Sequence, residues 1–186
     1  MRIILASASP RRKELIKKIP FLEVQIIPSS IDENIPIVEP ALYVKTLAQT
    51  KAKSVYDKFG GNVVGADTVV VIDGEILGKP KDSNEARQTF RKLCGKTHEV
   101  LTGIALYCDD GVCTDYERTL VTFNEYDEAV INAYIKSGLP FDKAGGYGIQ
   151  DEGLKPIVKG IDGDEDNVIG LPLQKLREML AFFEKE

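Results

Sequence analysis

Residues 62–72 form an apolar, β-branched run (Val63, Val64, Ala66, Val69, Val70, Val71, Ile72) broken by one charged side chain, Asp67. Such a run reads as a buried strand. An unpaired carboxylate inside it would cost several kcal/mol, so Asp67 needs a partner: a cation, a metal, or backbone N–H groups at a bulge or strand end. The strand therefore constrains the fold and points to its most informative side chain at once.

The flanking segments supply the rest of the architecture. Residues 2–5 are a short apolar strand ending in small residues, and Ser9-Pro10 opens a helix, with serine as cap and proline at the first helical position. Leu15, Ile16 and Ile19 give that helix an apolar face, and Pro20 stops it. Residues 22–27 alternate as a strand, 28–36 form a loop with Asp32 and Glu33, and 40–59 form a long amphipathic helix closed by Gly60-Gly61. Asp73-Gly74 is a hairpin turn into 75–77. Asp82 or Ser83 caps a helix ending at Gly95, and strands 97–108 and 112–123 make a second hairpin. A helix at 126–137, a glycine-rich loop at 143–150, a strand at 156–161 and a helix after Pro172 follow. Hairpins mixed with crossovers imply an α/β fold with a mixed sheet flanked by helices. A length of 186 residues fits one domain, 1–186, with room for two lobes around a cleft.

Composition narrows the chemistry. One histidine, His98, and three cysteines (Cys94, Cys108, Cys113) without a C-x-x-C pair exclude a disulfide framework, a zinc ribbon and the H-E-x-x-H metalloproteases. A metal here would be a hard cation held by oxygen. His98 is expected to bond within its strand and is given no catalytic role. The first apolar run is too short for a signal peptide, and no run reaches membrane-spanning length, so a cytoplasmic location is expected. A net charge of −5 disfavours nucleic acid and anionic membrane as partners. Residues 1–20 nevertheless carry a net +5, and residues 151–166 a net −4. An acidic chain with one basic corner suits a small anion.

The common phosphate and calcium motifs do not explain that corner. Gly95-Lys96-Thr97 lacks the first P-loop glycine, whose place is taken by Phe90. Gly145-Gly146-Tyr147-Gly148 lacks the third dinucleotide glycine. Asp162, Asp164 and Asp166 have calcium-loop spacing, but Asn167 and Leu173 replace the glycine and the closing glutamate. What remains is Ser7-Ala8-Ser9-Pro10-Arg11-Arg12, where small residues and two arginines meet a helix start and would suit an oxyanion. Lys51 and Lys53 lie in a helix whose outer face would be charged in any case. Lys79, between Gly78 and Pro80, is more constrained. Lys143 and Gln150 flank flexible backbone that could close over a ligand.

Taken together these segments resemble the Maf family of nucleotide pyrophosphatases. The likeness begins at Ser7-Ala8-Ser9-Pro10-Arg11-Arg12 and runs through Asp32-Glu33, Lys51-Ala52-Lys53, Gly65-Ala66-Asp67-Thr68 and Gly78-Lys79-Pro80. It continues through Gly95-Lys96-Thr97-His98, Thr102-Gly103, Lys143-Ala144-Gly145-x-Tyr147-Gly148-Ile149-Gln150, and Asn167-Val168-x-Gly170-Leu171-Pro172. The segments stand in family order across nearly the whole chain. Gly146 and Asp151 depart from the usual alanine and glycine, and Asp164, Glu165 and Asp166 make a usually less acidic loop strongly acidic.

The resemblance implies a Maf/Ham1-like (ITPase-like) fold and cleavage of nucleoside triphosphates to monophosphate and pyrophosphate with Mg²⁺ or Mn²⁺. It implies Asp67 as proton acceptor, with a role as metal ligand only left open. On their charges and the helix start, Ser7, Arg11, Arg12, Lys51 and Lys79 are expected to bind phosphate, and Glu33 and Asp67 to hold the metal. Arg11, Thr68 and Gln150 together resemble the dTTP/UTP branch rather than the 7-methyl-GTP branch. A non-catalytic nucleotide-binding regulator of septum formation is the rival outside enzymes. The resemblance leaves room for a homodimer.

Overall fold

A computed structural model describes residues 1–33, 35, 36 and 39–183. The chain divides into two compact units: Met1–Thr68 with Thr102–Glu117 and Gly170–Glu186, and Val69–Leu101 with Arg118–Ile169.

The first unit begins with β1 (Arg2–Leu5), α1 (Pro10–Ile16), β2 (Glu23–Ile26) and α2 (Pro40–Phe59). β1 pairs in parallel with β2 and with β3 (Val63–Ile72), Leu5 lying opposite Val64. The chain leaving β1 through Ala6 and Ser7 therefore runs beside the stretch that leads to Asp67. Ser9 caps α1, its Oγ accepting the Arg12 N–H at 3.4 Å, with Pro10 at the first helical position. The carboxylate of Glu39 caps α2 by accepting the N–H groups of Ala41 and Leu42, and these bonds hold its pKa below the ordinary value.

α2 buries Ala41, Val44, Leu47, Ala48, Lys51, Ala52 and Val55, a stripe at helical spacing. It lies against the strands at two glycines. A Cβ on Gly65 would come within 2.2 Å of the Ala48 carbonyl oxygen, and one on Gly103 within 2.2 Å of the Val44 carbonyl oxygen. This contact brings the Lys51 side chain down to the strand that carries Asp67.

The second unit holds the end of β3, the hairpin strand β4 (Glu75–Leu77), α3 (Ser83–Leu93), the start of β5 (Thr97–Cys108) and the end of β6 (Gly111–Phe123). α4 (Glu128–Lys136), β7 (Val158–Asp162) and α5 (Glu165–Ile169) complete it, and α6 (Leu173–Phe183) returns to the first unit. The β3–β4 turn has Asp73 at φ 52° and Gly74 at φ 80°, the left-handed pair that a two-residue hairpin needs. Asp82, not Ser83, caps α3 through the N–H groups of Asn84 and Glu85. Phe90, Leu93, Phe123, Ile131 and Leu154 anchor this unit's core. The acidic segment at 164–166, expected as a loop, instead opens α5: the Asp164 carboxylate accepts the Asp166 N–H at 2.8 Å, as a helix cap does.

The described strands form one mixed sheet of seven, in the order β2-β1-β3-β5-β6-β7, with β4 on β3. Parallel pairs at β1 and antiparallel pairs at β3–β4 and β6–β7 agree with the mixed sheet read from the sequence. No described helix is long and apolar enough to cross a membrane.

His98 does not bond within its strand. Its Nε2 lies 2.7 Å from the hydroxyl of Tyr147 in the glycine-rich segment, and its ring sits edge-on to Phe123 at 4.8 Å. Burial lowers the imidazole pKa to about 4. The unfolded chain takes up this proton near pH 6.5, so stability is intact above that pH and is lost as pH falls toward the folded value. Between about pH 6.5 and 5, unfolding free energy from urea titrations should drop by about 2 kcal/mol more in the native chain than in His98→Gln. Equal slopes for the two proteins would contradict the assignment.

Candidate active site

The site in the first unit is built around one buried ion pair. Lys51 projects from the apolar stripe of α2 and is 7% exposed; its Nζ lies 2.6 Å from Asp67 Oδ1 and 3.0 Å from Glu33 Oε1. Asp67 is 8% exposed, so the partner that the sequence demanded for it is this ammonium. Tyr43 lies two helical turns before Lys51 on the same face. Partial burial and the charges of Asp67 and Glu33 raise its phenol pKa.

Arg12 forms the second part. Its Nε donates to the Gly170 carbonyl oxygen at 2.7 Å and its Nη2 to Thr68 Oγ1 at 2.9 Å, and Thr68 Oγ1 is 3.0 Å from Thr102 Oγ1. The guanidinium is thus oriented by Thr68 and Gly170, from two distant stretches of chain, with Thr102 bracing Thr68. Burial lowers its pKa from the ordinary arginine value, while the charges of Asp67 and Glu33 oppose that shift. Arg11 acts on Arg12 as a like charge, so both arginines belong to this cluster. Ser7 is buried, and its Oγ accepts the Ser9 N–H at 3.2 Å. Three cations, Arg11, Arg12 and Lys51, accompany two carboxylates, Glu33 and Asp67. The surplus is positive, as an anion-binding site requires.

Two expected groups lie in the second unit. Lys79 is exposed in the segment after β4, and Gln150 is exposed at the end of the glycine-rich segment. The two segments are tied by the Gly145 N–H, which donates to the Gly78 carbonyl oxygen at 3.0 Å. Lys143 differs from its expected role as a cation poised to close over a ligand. It is 5% exposed and is held by the Leu139 carbonyl oxygen at 2.6 Å and by Asp142 at 2.9 Å. Lys53 pairs with Asp57 on the exposed face of α2, away from Asp67.

Thr102, Gly170 and Tyr43 carried no role in the sequence reading. Thr102 and Gly170 lie within the family-like segments, and Tyr43 stands at helical spacing from Lys51; those were the available signals.

Among the described residues no group of three or more His, Cys, Asp or Glu side chains could enclose a metal ion. Glu33 and Asp67 do converge on a single cationic position, that of the Lys51 ammonium. Two carboxylate oxygens match what Mg²⁺ takes from protein when water and phosphate provide its other ligands.

The fold is shared with solved structures of low sequence identity. The nucleoside-triphosphatase / dITP/XTP pyrophosphatase of Mycobacterium abscessus superposes with a TM-score of 0.50 at 14% identity, over 97% of this chain and 94% of that one. The Ham1 protein of Staphylococcus aureus does so with a TM-score of 0.51 at 16% identity, over 85% and 80%. At those identities the likeness is one of fold. The model of the Maf-like protein family matches residues 2–183, and this chain belongs to that family. Its relatives include the dTTP/UTP pyrophosphatase of Ruminiclostridium cellulolyticum, 50% identical over 96% of this chain and 94% of the relative. The protein of that name from Thermosipho africanus is 46% identical over 97% and 92%.

Proposed function

We propose that this chain hydrolyses dTTP and UTP to the nucleoside monophosphate and pyrophosphate. The observation that carries the reading is the buried Lys51 between Asp67 and Glu33, beside an arginine locked onto Thr68 and Gly170. It combines a proton acceptor, a carboxylate pair and preoriented cations in one place. The names of the relatives support the same reaction and the same substrates.

In this mechanism Ser7, Arg11, Arg12 and Lys51 bind the phosphate chain, with Lys79 as a further cation. Positioning and charge neutralisation supply most of the barrier reduction in phosphoryl chemistry. Arg12 suits this role because its hydrogen bonds fix the guanidinium before substrate arrives, so little reorganisation remains. Asp67 accepts the proton of the attacking water at a carboxylate oxygen. Glu33 and Asp67 would hold a divalent cation, which when bound neutralises phosphate charge and lowers the pKa of water. Arg11, Thr68 and Gln150 select the base: the Gln150 amide can both donate and accept, which matches the carbonyl and N–H edge of uracil or thymine.

Pyrophosphate release from a panel of nucleoside triphosphates, with and without Mg²⁺ or Mn²⁺, tests the reading. Higher kcat/KM for dTTP and UTP than for 7-methyl-GTP, ATP or GTP is expected. A preference for 7-methyl-GTP would assign the chain to the sister specificity, and binding without turnover would make it a nucleotide-binding regulator. Gln150→Glu should shift the ratio of UTP to 7-methyl-GTP turnover toward the methylated purine by about 1–3 kcal/mol, the scale of a hydrogen bond to a charged group. Competitive turnover of the two nucleotides measures this; an unchanged ratio would remove Gln150 as sole selector.

A further inference from the structure

The glycine-rich segment ending at Gln150 has few side chains of its own to hold it, yet its last turn is fixed from outside. The Asp151 N–H donates to the Gly148 carbonyl oxygen at 3.1 Å, closing a turn with Ile149 and Gln150 at its centre. Tyr134, from α4, bonds both ends of this turn. Its hydroxyl donates to Asp151 Oδ2 at 2.5 Å and accepts the Gly148 N–H at 3.2 Å. Lys143 Nζ stands 3.4 Å from the same Asp151 oxygen.

Above Gly148 there is no free space. A Cβ there would lie 2.6 Å from Gln150 Nε2, 2.9 Å from Asp151 Oδ2 and 3.0 Å from Lys143 Cε. The Gln150 amide is therefore folded back over the turn beside the Asp151–Lys143 pair. Tyr134 is itself buried, edge-on to Phe90 at 5.9 Å, so the clamp is anchored in the core of its unit. Burial and the Asp151 bond raise the Tyr134 pKa, so its hydroxyl stays protonated as a donor.

We propose that Asp151, clamped by Tyr134 and Lys143, is the positioning residue that sets the Gln150 amide and thereby the base preference. The inference rests on the reading of Gln150 as base selector. Its physical basis is that an amide discriminates only when its donor and acceptor are held in a fixed orientation, because hydrogen bonding weakens steeply off-axis. The Asp151 carboxylate is engaged by a phenol and an ammonium, so its charge is directed inward to the clamp.

The test is a double-mutant cycle of Tyr134→Phe with Gln150→Ala, reading kcat and KM for UTP and for GTP. Tyr134→Phe keeps the ring and removes both clamp bonds. It should lower the preference for UTP over GTP by about tenfold, mainly through a raised KM for UTP. In the Gln150→Ala background the same change should alter that preference less than about twofold. Asp151→Asn, which keeps an acceptor for Tyr134 but loses the ion pair, should give a smaller loss that also vanishes without Gln150. It serves as the second arm if Tyr134→Phe does not fold. A wild-type preference for UTP combined with additive effects in both cycles would overturn the clamp while leaving the proposed substrate intact. A wild type without that preference would overturn the substrate reading, and with it this role for Asp151.

Discussion

Asp67→Asn is expected to lower kcat for UTP by about 10²-fold or more, the usual cost of losing a general base. The amide has nearly the volume of the carboxylate, and its carbonyl oxygen can still accept from Lys51, which keeps Glu33 as a charged partner at 3.0 Å. The chain should therefore remain folded, and α,β-methylene-UTP should still bind as a non-hydrolysable ligand. Turnover and calorimetric binding of that analogue, measured on the same preparation, separate chemistry from binding. Near-normal turnover would remove Asp67 from the mechanism.

The largest effect on stability is expected at Gly103. An added Cβ would meet the Val44 carbonyl oxygen at 2.2 Å, the Val44 carbonyl carbon at 2.3 Å and the Lys45 nitrogen at 2.7 Å, all of them backbone atoms of α2. Backbone cannot rotate away as a side chain can, so relief requires shifting the helix. Gly103→Ala should lose about 3 kcal/mol or more, the upper range for overpacking. It should also displace Lys51 from Asp67, since Lys51 is carried by α2 and Asp67 by β3. Urea unfolding gives the first quantity and kcat the second. A variant as stable as the native chain would show that α2 does not need this contact.

These two sites show what could be read from the residues and what could not. That Asp67 required a partner followed from a carboxylate in an apolar strand. That the partner is Lys51 did not, because lysines on a long helix are usually on its solvated face. The stripe through Leu47, Ala48, Ala52 and Val55 nevertheless places Lys51 inward, whereas Lys53 points out to Asp57. The α1 start was plain from Ser9-Pro10, and the β3–β4 hairpin from Asp73-Gly74, because caps and tight turns are decided within a few residues. Arg12 depends instead on Gly170, 158 positions along the chain, and His98 on Tyr147, 49 positions away; no local pattern encodes such pairings. α5 is not legible in the sequence because five residues are too few for helical periodicity to show. Lys143 reads as available to a ligand because its charge is visible in sequence, whereas the acceptors that hold it are not.

The central claim is attack at the α-phosphorus of a pyrimidine nucleoside triphosphate. Hydrolysis of UTP in heavy-oxygen water, with Mg²⁺ present and all products quantified by mass spectrometry, tests it most directly. The account predicts UMP carrying the solvent oxygen, together with intact, unlabelled pyrophosphate in equal amount. UDP with labelled free phosphate would place the attack at the γ-phosphorus and contradict the assigned roles of Asp67 and the arginines.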